Sequence, residues 1–499
     1  MSQPSMPWLL VVVASLVAGS RHAAAGPTPV TPMNDPPVVQ TLPAHVTLGF
    51  ESLRLPGDER LGLLGTSYLI ELAPGWWLGP ALYGAASGQR GGLFTWGVEG
   101  QRRWPLGDRW ALVAGLYAGG GGGSGAPVGG GLMLRPHADL VFDFGGWEAG
   151  ITASQVRFPS GTIRSVQVGV LVAVHDEFVF TAPGQAGESV RFNGVGGIGA
   201  NRMSAAVGRY ATASSGGKSL DYVGIRLERQ LGQGLSATFS AAGAAKGGAD
   251  GYAEATAGVL ALWPIGSEAT RLGAHAALGL GGGGAVPTGA GPIAKLGLAG
   301  RLQFSRQLSL ELEAGQARAF SGDFNSHYAQ LSLGVMLGGA PANAGTEDPR
   351  KTLHDTTWAL SVQNYARAQR KDGSAPGLST LGFRFARSLN EHVYLSGQAH
   401  SAITGGAGAY SVGLIGMGLT TRLGPSTPWK IGAEAMVGAA GGGGVSLRGG
   451  AIAQPMVWVG RDLGRFSRIT FGAGVVRSIR GELSSPVIDV SWAAEFGTP

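Results

Sequence analysis

The chain has 499 residues, 89 of them glycine and none cysteine, with 14% charged and 44% hydrophobic residues and a net charge of +6. The apolar content excludes plain disorder, and the missing cysteine excludes disulfides and thiolate metal sites. The positive charge is scattered rather than blocked, so it carries no nucleic-acid footprint.

The N-terminus, "MSQPSMPWLLVVVASLVAGSRHAAAGPTP", has an apolar run from Trp8 to Gly19 that is too short to cross a bilayer as a helix. Ala23 and Ala25 precede an expected cut at Gly26. Residues 1–25 therefore read as a cleaved export signal, although no Lys or Arg stands before the apolar run. Residues 26–43 are rich in Pro and Thr and are expected to be unstructured.

Beyond this point the chain repeats itself. A glycine run recurs as "LYAGGGGGSGAPVGGG", "LGLGGGGAVPTGAG" and "VGAAGGGGVSLRGG", with Gly120, Gly281 and Gly441 about 160 residues apart. At the same period, Gly161, Gly322 and Gly481 are each followed two residues on by Ile163, Phe324 or Leu483 and four on by Ser165, Ser326 or Ser485. A third landmark, "WPLGDRW", "WPIGSEA" and "RLGPSTPW", precedes each run. A fourth pairs "GIRLERQL" with "GFRFARSL". These landmarks define three β repeats at 44–180, 200–338 and 356–496, joined by segments of small, polar and turn residues.

Within a repeat the period is two. In "SVQVGVLVAV" the residues Val166, Val168, Val170, Val172 and Val174 share one face. In "HYAQLSLGVML" the face is Ala329, Leu331, Leu333, Val335 and Leu337. The third repeat parses into strands near 356–366, 376–388, 392–403, 409–422, 429–441, 446–462, 467–479 and 486–496. The other repeats parse alike, giving about 24 strands of bilayer-crossing length. Sparse charge and aromatics near strand ends (Trp76, Trp77, Trp104, Trp110, Trp263, Trp429, Trp492) favour a membrane barrel over a soluble sandwich.

The last segment, "VIDVSWAAEF", sets Ile488, Val490, Trp492, Ala494 and Phe496 on one face. Behind an export signal, this resembles the C-terminal strand of Gram-negative outer-membrane β-barrel proteins, although three residues follow the aromatic. The resemblance implies an outer-membrane location, contact with outer-membrane lipid, and insertion by the barrel-assembly machinery with periplasmic chaperones. It makes Val490, Trp492 and Phe496 the assembly strand, with Phe496 and Trp492 turned to lipid.

The expected fold is all-β: a transmembrane antiparallel β-barrel built from three repeats. One barrel of about 24 strands is favoured, and three tandem eight-stranded barrels are the alternative. Arg226, Glu228, Arg384 and Glu434 are the candidate lumen-lining residues, with Glu311 and Glu313 on the same polar faces. The glycine runs should close the fifth strand of each repeat, at an external hairpin. Gly115, Gly273 and Gly432 nearby permit tight twisting or dense packing.

"SSGGKSL" has Thr212 where a phosphate-binding loop needs glycine, and reads as a hairpin loop. His45, His137, His175, His275, His327, His354, His392 and His400 lack metal-ligand spacing, and His175, Asp176 and Glu177 read as a hydrated loop. Ser326 and His327 are neighbours in a strand, so they point to opposite faces. No enzyme, cofactor or metal is expected. The leading function is a passive pore for small solutes. The alternative is a non-conducting structural or adhesive surface protein.

Overall fold

The computed structural model describes residues 37–192, 194–212, 219–337, 350–424 and 427–499. The export signal and the "SSGGKSL" loop lie wholly or mostly outside them. Every regular element among the described residues is a β-strand. The first eight are β1 (Gln40–Arg54), β2 (Arg60–Ala73), β3 (Trp76–Ser87), β4 (Phe94–Leu106), β5 (Trp110–Gly122), β6 (Met133–Asp143), β7 (Trp147–Arg157) and β8 (Arg164–Phe180). A short β9 (Ser189–Arg191) follows. The second repeat holds β10 (Arg202–Tyr210), β11 (Leu220–Gly232), β12 (Leu235–Lys246), β13 (Ala253–Ile265), β14 (Ser267–Gly282), β15 (Pro292–Gln303), β16 (Leu308–Ala319) and β17 (Asn325–Met336). After β18 (Arg350–Thr352) come β19 (His354–Tyr365), β20 (Leu378–Ser388), β21 (Val393–Ala402), β22 (Ser411–Arg422), β23 (Trp429–Gly441), β24 (Ala451–Asp462), β25 (Ser467–Ser478) and β26 (Ser484–Thr498). Strand β1 begins at Gln40, inside the segment expected to be unstructured.

The pairing corrects the favoured architecture. Strand β8 closes on β1, β17 on β10 and β26 on β19, so the chain forms three closed eight-stranded antiparallel barrels rather than one wide sheet. A continuous sheet would need β8 and β10 joined as neighbours by a hairpin. Instead the joining segment leaves the sheet edge and forms β9, which pairs with β18 from the second join (Val190↔Lys351). Closing each repeat on itself removes every long unpaired edge.

The three barrels form a ring. Strand β3 of the first packs on β14 of the second, β12 of the second on β23 of the third, and β21 of the third on β5 of the first. The third strand of each barrel thus meets the fifth strand of the next, a head-to-tail contact that closes after three steps. Here the glycine runs find their use. A Cβ added at Gly92, Gly120 or Gly441 would fall under 3.0 Å from backbone of the neighbouring barrel, at Gly283 N, Ser401 O and Gly251 N respectively. Hydrogen bonds cross each contact, among them Gly91 N–H to Gly289 O (3.0 Å), Gly408 N–H to Gly129 O (3.1 Å), and Gly449 N–H to Asp250 Oδ1 (3.1 Å).

At the opposite end, where the termini lie, the contacts are aromatic and charged. Phe178 of the first barrel packs on Trp358 and Phe496 of the third, with ring centroids 5.3 and 5.1 Å apart. Asp176 of the first barrel pairs with Arg229 of the second at 2.7 Å. Phe496, expected on the lipid face, is 5% exposed because the ring seals it between two barrels.

Candidate functional site

Alternation places each side chain inside or outside its barrel, and the two faces are inverted relative to a soluble protein. Outside, Val166 is 77% exposed and Leu298 74%, with Leu331, Leu419, Val457 and Ile488 alongside. Inside, charged groups are buried and paired. Exposed tryptophans (Trp76, Trp104, Trp110, Trp147, Trp263 and Trp429) start or end strands on the terminal side.

All four charges selected from the sequence line lumens. In the second barrel Arg226 bonds Glu311 at 2.7 Å and Glu313 at 2.6 Å. Glu228 there takes Arg202 at 2.5 Å and Arg301 at 2.8 Å. Lys295 pairs with Glu254 at 3.0 Å, and Tyr210 and Tyr252 donate their hydroxyls to the same carboxylate. In the third barrel Arg384 joins Glu434 and Asp489, while Gln363, Gln398 and Gln454 hydrogen-bond in a cluster. The first lumen uses Arg135 with Glu51, His137 with Asp139, and Arg103 with Glu148. A buried charge is tolerated when it is paired and hydrogen-bonded in this way.

An eight-stranded barrel has an interior that side chains just fill. The first lumen keeps a cavity of about 50 Å³ beside His45, Glu99 and His137, room for a few waters.

Toward the glycine end each lumen turns apolar, and here lie residues that sequence reasoning noticed without finding their role. The loop after the fifth strand folds over the barrel mouth and buries Val128, Val286 or Val445 in an apolar cluster. The hairpin after the seventh strand adds Ile163, Phe324 or Leu483, each no more than 2% exposed. Gly161, Gly322 and Gly481 let the two loops touch, since a Cβ there would fall under 3.0 Å from Pro127 O, Pro287 O or Ser446 O. Ser165, Ser326 and Ser485 accept hydrogen bonds from the backbone N–H groups of Arg54, Thr212 and Arg367 at 3.0, 3.0 and 3.1 Å. The recurring Gly-x-apolar-x-Ser pattern therefore builds a plug. Its period was the signal; its meaning required the mouth of the barrel.

His175, Asp176 and Glu177 lie in β8, not in a loop, because β8 stays paired with β1 as far as Phe180. Asp143, Glu148 and His175 bring possible ligand atoms within 4.8 Å of one another, but Arg103 donates to both oxygens of Glu148 at 2.6 and 2.8 Å. A guanidinium already supplies the positive charge there. Ser326 Oγ donates to its neighbour's carbonyl (His327 O, 3.0 Å), while the His327 side chain points outward.

Fold and site define a class: a three-barrel, all-β chain with apolar exteriors and plugged polar lumens. No family model matches it and no curated protein matches it. Among solved structures it is similar to the FrpB iron transporter from Neisseria meningitidis, at 9% identity and a TM-score of 0.27, covering 92% of this chain and 81% of that one. It is also similar to the outer membrane protein opdK from Pseudomonas aeruginosa, at 11% identity and a TM-score of 0.21, covering 92% and 99%. Likeness at these TM-scores carries no argument, and the fold rests on the strand pairing itself.

Proposed function

We propose that the chain is an integral outer-membrane protein whose three barrels form a non-conducting structural platform. The observation that carries the membrane reading is the inversion of faces: aliphatic side chains exposed outside, paired charges buried inside. The exposed tryptophans at the terminal-side strand ends fit an interfacial belt, and the terminal strand resembles those inserted by the barrel-assembly machinery. Insertion then requires that machinery and periplasmic chaperones.

The non-conducting reading rests on the plug and the neutralised lumens. A pore for small solutes needed the wide barrel, and these lumens are filled with ion pairs below an apolar mouth. Single-channel recording of refolded protein tests it: no unit conductance is expected. Cysteine at Arg384, or at the neutral Gln398, should resist a charged thiol reagent in the folded protein. The chain has no native cysteine to interfere. Stable current steps that change on labelling would restore the pore. Release of the mature chain as a soluble protein would sink the membrane reading.

A further inference from the structure

A groove of about 490 Å³ lies between the second and third barrels, on their outer surface at the glycine end. Its floor is apolar, with Val207, Val223, Leu312 and Leu331 on the face of the second barrel. Its rim is basic. Arg209 is the penultimate residue of β10, Lys246 ends β12, and Arg480 reaches over from the hairpin between β25 and β26 of the third barrel. Asp221 is the one carboxylate among them; Arg209 holds it with two hydrogen bonds (2.5 and 3.0 Å), and Lys246 and Arg480 lie within its electrostatic reach. Lys246 and Arg480 are exposed and form no ion pair among the described residues.

The equivalent positions at the other two barrel contacts provide an internal control. Strand register matches Arg209, Asp221 and Lys246 with Ser52, Gly62 and Ser87 in the first barrel, and with Asn364, Ser379 and Thr404 in the third. The position of Arg480, just before the repeat glycine, is Ser160 in the first repeat and Ser321 in the second. All three contacts share one packing scheme, and at these four positions, among the described residues, charge stands only at this contact. Barrel packing therefore does not require these cations.

We propose that this groove binds one membrane lipid whose phosphate-bearing headgroup is net anionic. The phosphate sits among Arg209, Lys246 and Arg480, and the acyl chains lie on the apolar floor. The idea rests on the membrane reading above, because only a bilayer delivers such an amphiphile with its chains below and its headgroup at the rim. Charge complementarity selects the occupant: three cations around one carboxylate leave room for an anion. Exposed Arg157, Arg164, Arg318 and Arg477 at the same end add to the positive potential there.

Native mass spectrometry of the full mature chain in a neutral detergent tests this, using dioleoylphosphatidylglycerol against dioleoylphosphatidylcholine. One phosphatidylglycerol should be retained, with at least about tenfold preference over phosphatidylcholine. The variant Arg209→Ser, Lys246→Ser, Arg480→Ser imports the uncharged polarity of the equivalent positions at the other two contacts and should lose that preference. Arg480→Ser alone should weaken it without touching the second barrel. Equal retention of both lipids, an unchanged preference in the triple variant, or displacement by millimolar inorganic phosphate would overturn the proposal. Heat-modifiable migration after insertion into vesicles is scored separately. Its loss in wild type overturns the membrane reading and the groove with it; its persistence beside equal lipid retention overturns the groove alone.

Discussion

The two ends of the ring join the same three barrels by different physics. At the glycine end, backbone meets backbone: removing side chains lets the barrels approach until N–H and C=O groups bond across two contacts and the Gly449 N–H reaches the Asp250 carboxylate across the third. At the terminal end, one backbone bridge (Thr181↔Gly497) is surrounded by large side chains, with Phe178, Trp358 and Phe496 packed edge-on and Asp176 paired to Arg229. One end depends on absent atoms and the other on abundant ones. Substitutions should therefore fail in opposite senses: enlarging residues at the first, shrinking or charging them at the second.

The largest effect is expected at Phe496. Phe496→Asp puts an unpaired charge into the sealed aromatic cluster and should cost about 3–5 kcal/mol. Trp492→Asp, on the half-buried exterior of the same strand, should cost no more than about 2 kcal/mol. Urea unfolding of refolded protein in micelles, followed by heat-modifiable migration, compares the two. Equal losses would return Phe496 to the lipid face and break the contrast between the ends.

A smaller effect is expected from enlarging the glycine end. Gly441→Val forces a side chain against Gly251 and should destabilise by about 1–3 kcal/mol through overpacking. Gly413→Val is the control, since nothing lies within 4 Å of a Cβ there. If both variants unfold at the wild-type urea concentration, the close approach is not a stabilising contact.

The smallest effect is a pH dependence at Asp250, which accepts the Gly449 N–H across the contact and pairs with Lys371 at 3.2 Å. Partial burial raises the pKa of this carboxyl, but its own backbone N–H, the Lys371 ammonium and the Gly449 N–H outweigh burial and hold it below the usual range. A depressed carboxylate stabilises the fold above its unfolded pKa of about 3.9, and that contribution is lost as pH falls through the lower folded value. Asp250→Asn should flatten the acid limb of the stability curve slightly. A wild-type acid limb in this variant would remove Asp250 from the account.

Much of the fold was legible in local pattern. The segment expected at 429–441 is β23, and that at 467–479 matches β25 within one residue, because alternation of side-chain polarity marks a strand wherever its two faces see different media. Arg226 and Arg384 were placed in a lumen by the same alternation. That they pair with Glu313 and Asp489 was not legible, because those contacts span 87 and 105 residues and no local period encodes them. Phe496 was misread for a related reason. Alternation tells outside from inside, but a neighbouring barrel and a lipid tail are both outside.

The sequence by itself determined three repeats, eight strands in each, which residues of a strand share a face, and a glycine run closing every fifth strand. Those are properties of neighbours along the chain, set by the period of two and by duplication. Only the tertiary structure decided that β8 returns to β1 instead of pairing with β10, that the plug motif folds into the barrel mouth, and that the glycines face another barrel. The physical reason is that one wide sheet and three narrow ones require the same alternation strand by strand. They differ in which distant edges pair, and that choice is made by the summed fit of paired charges, plugs and barrel contacts across the whole molecule.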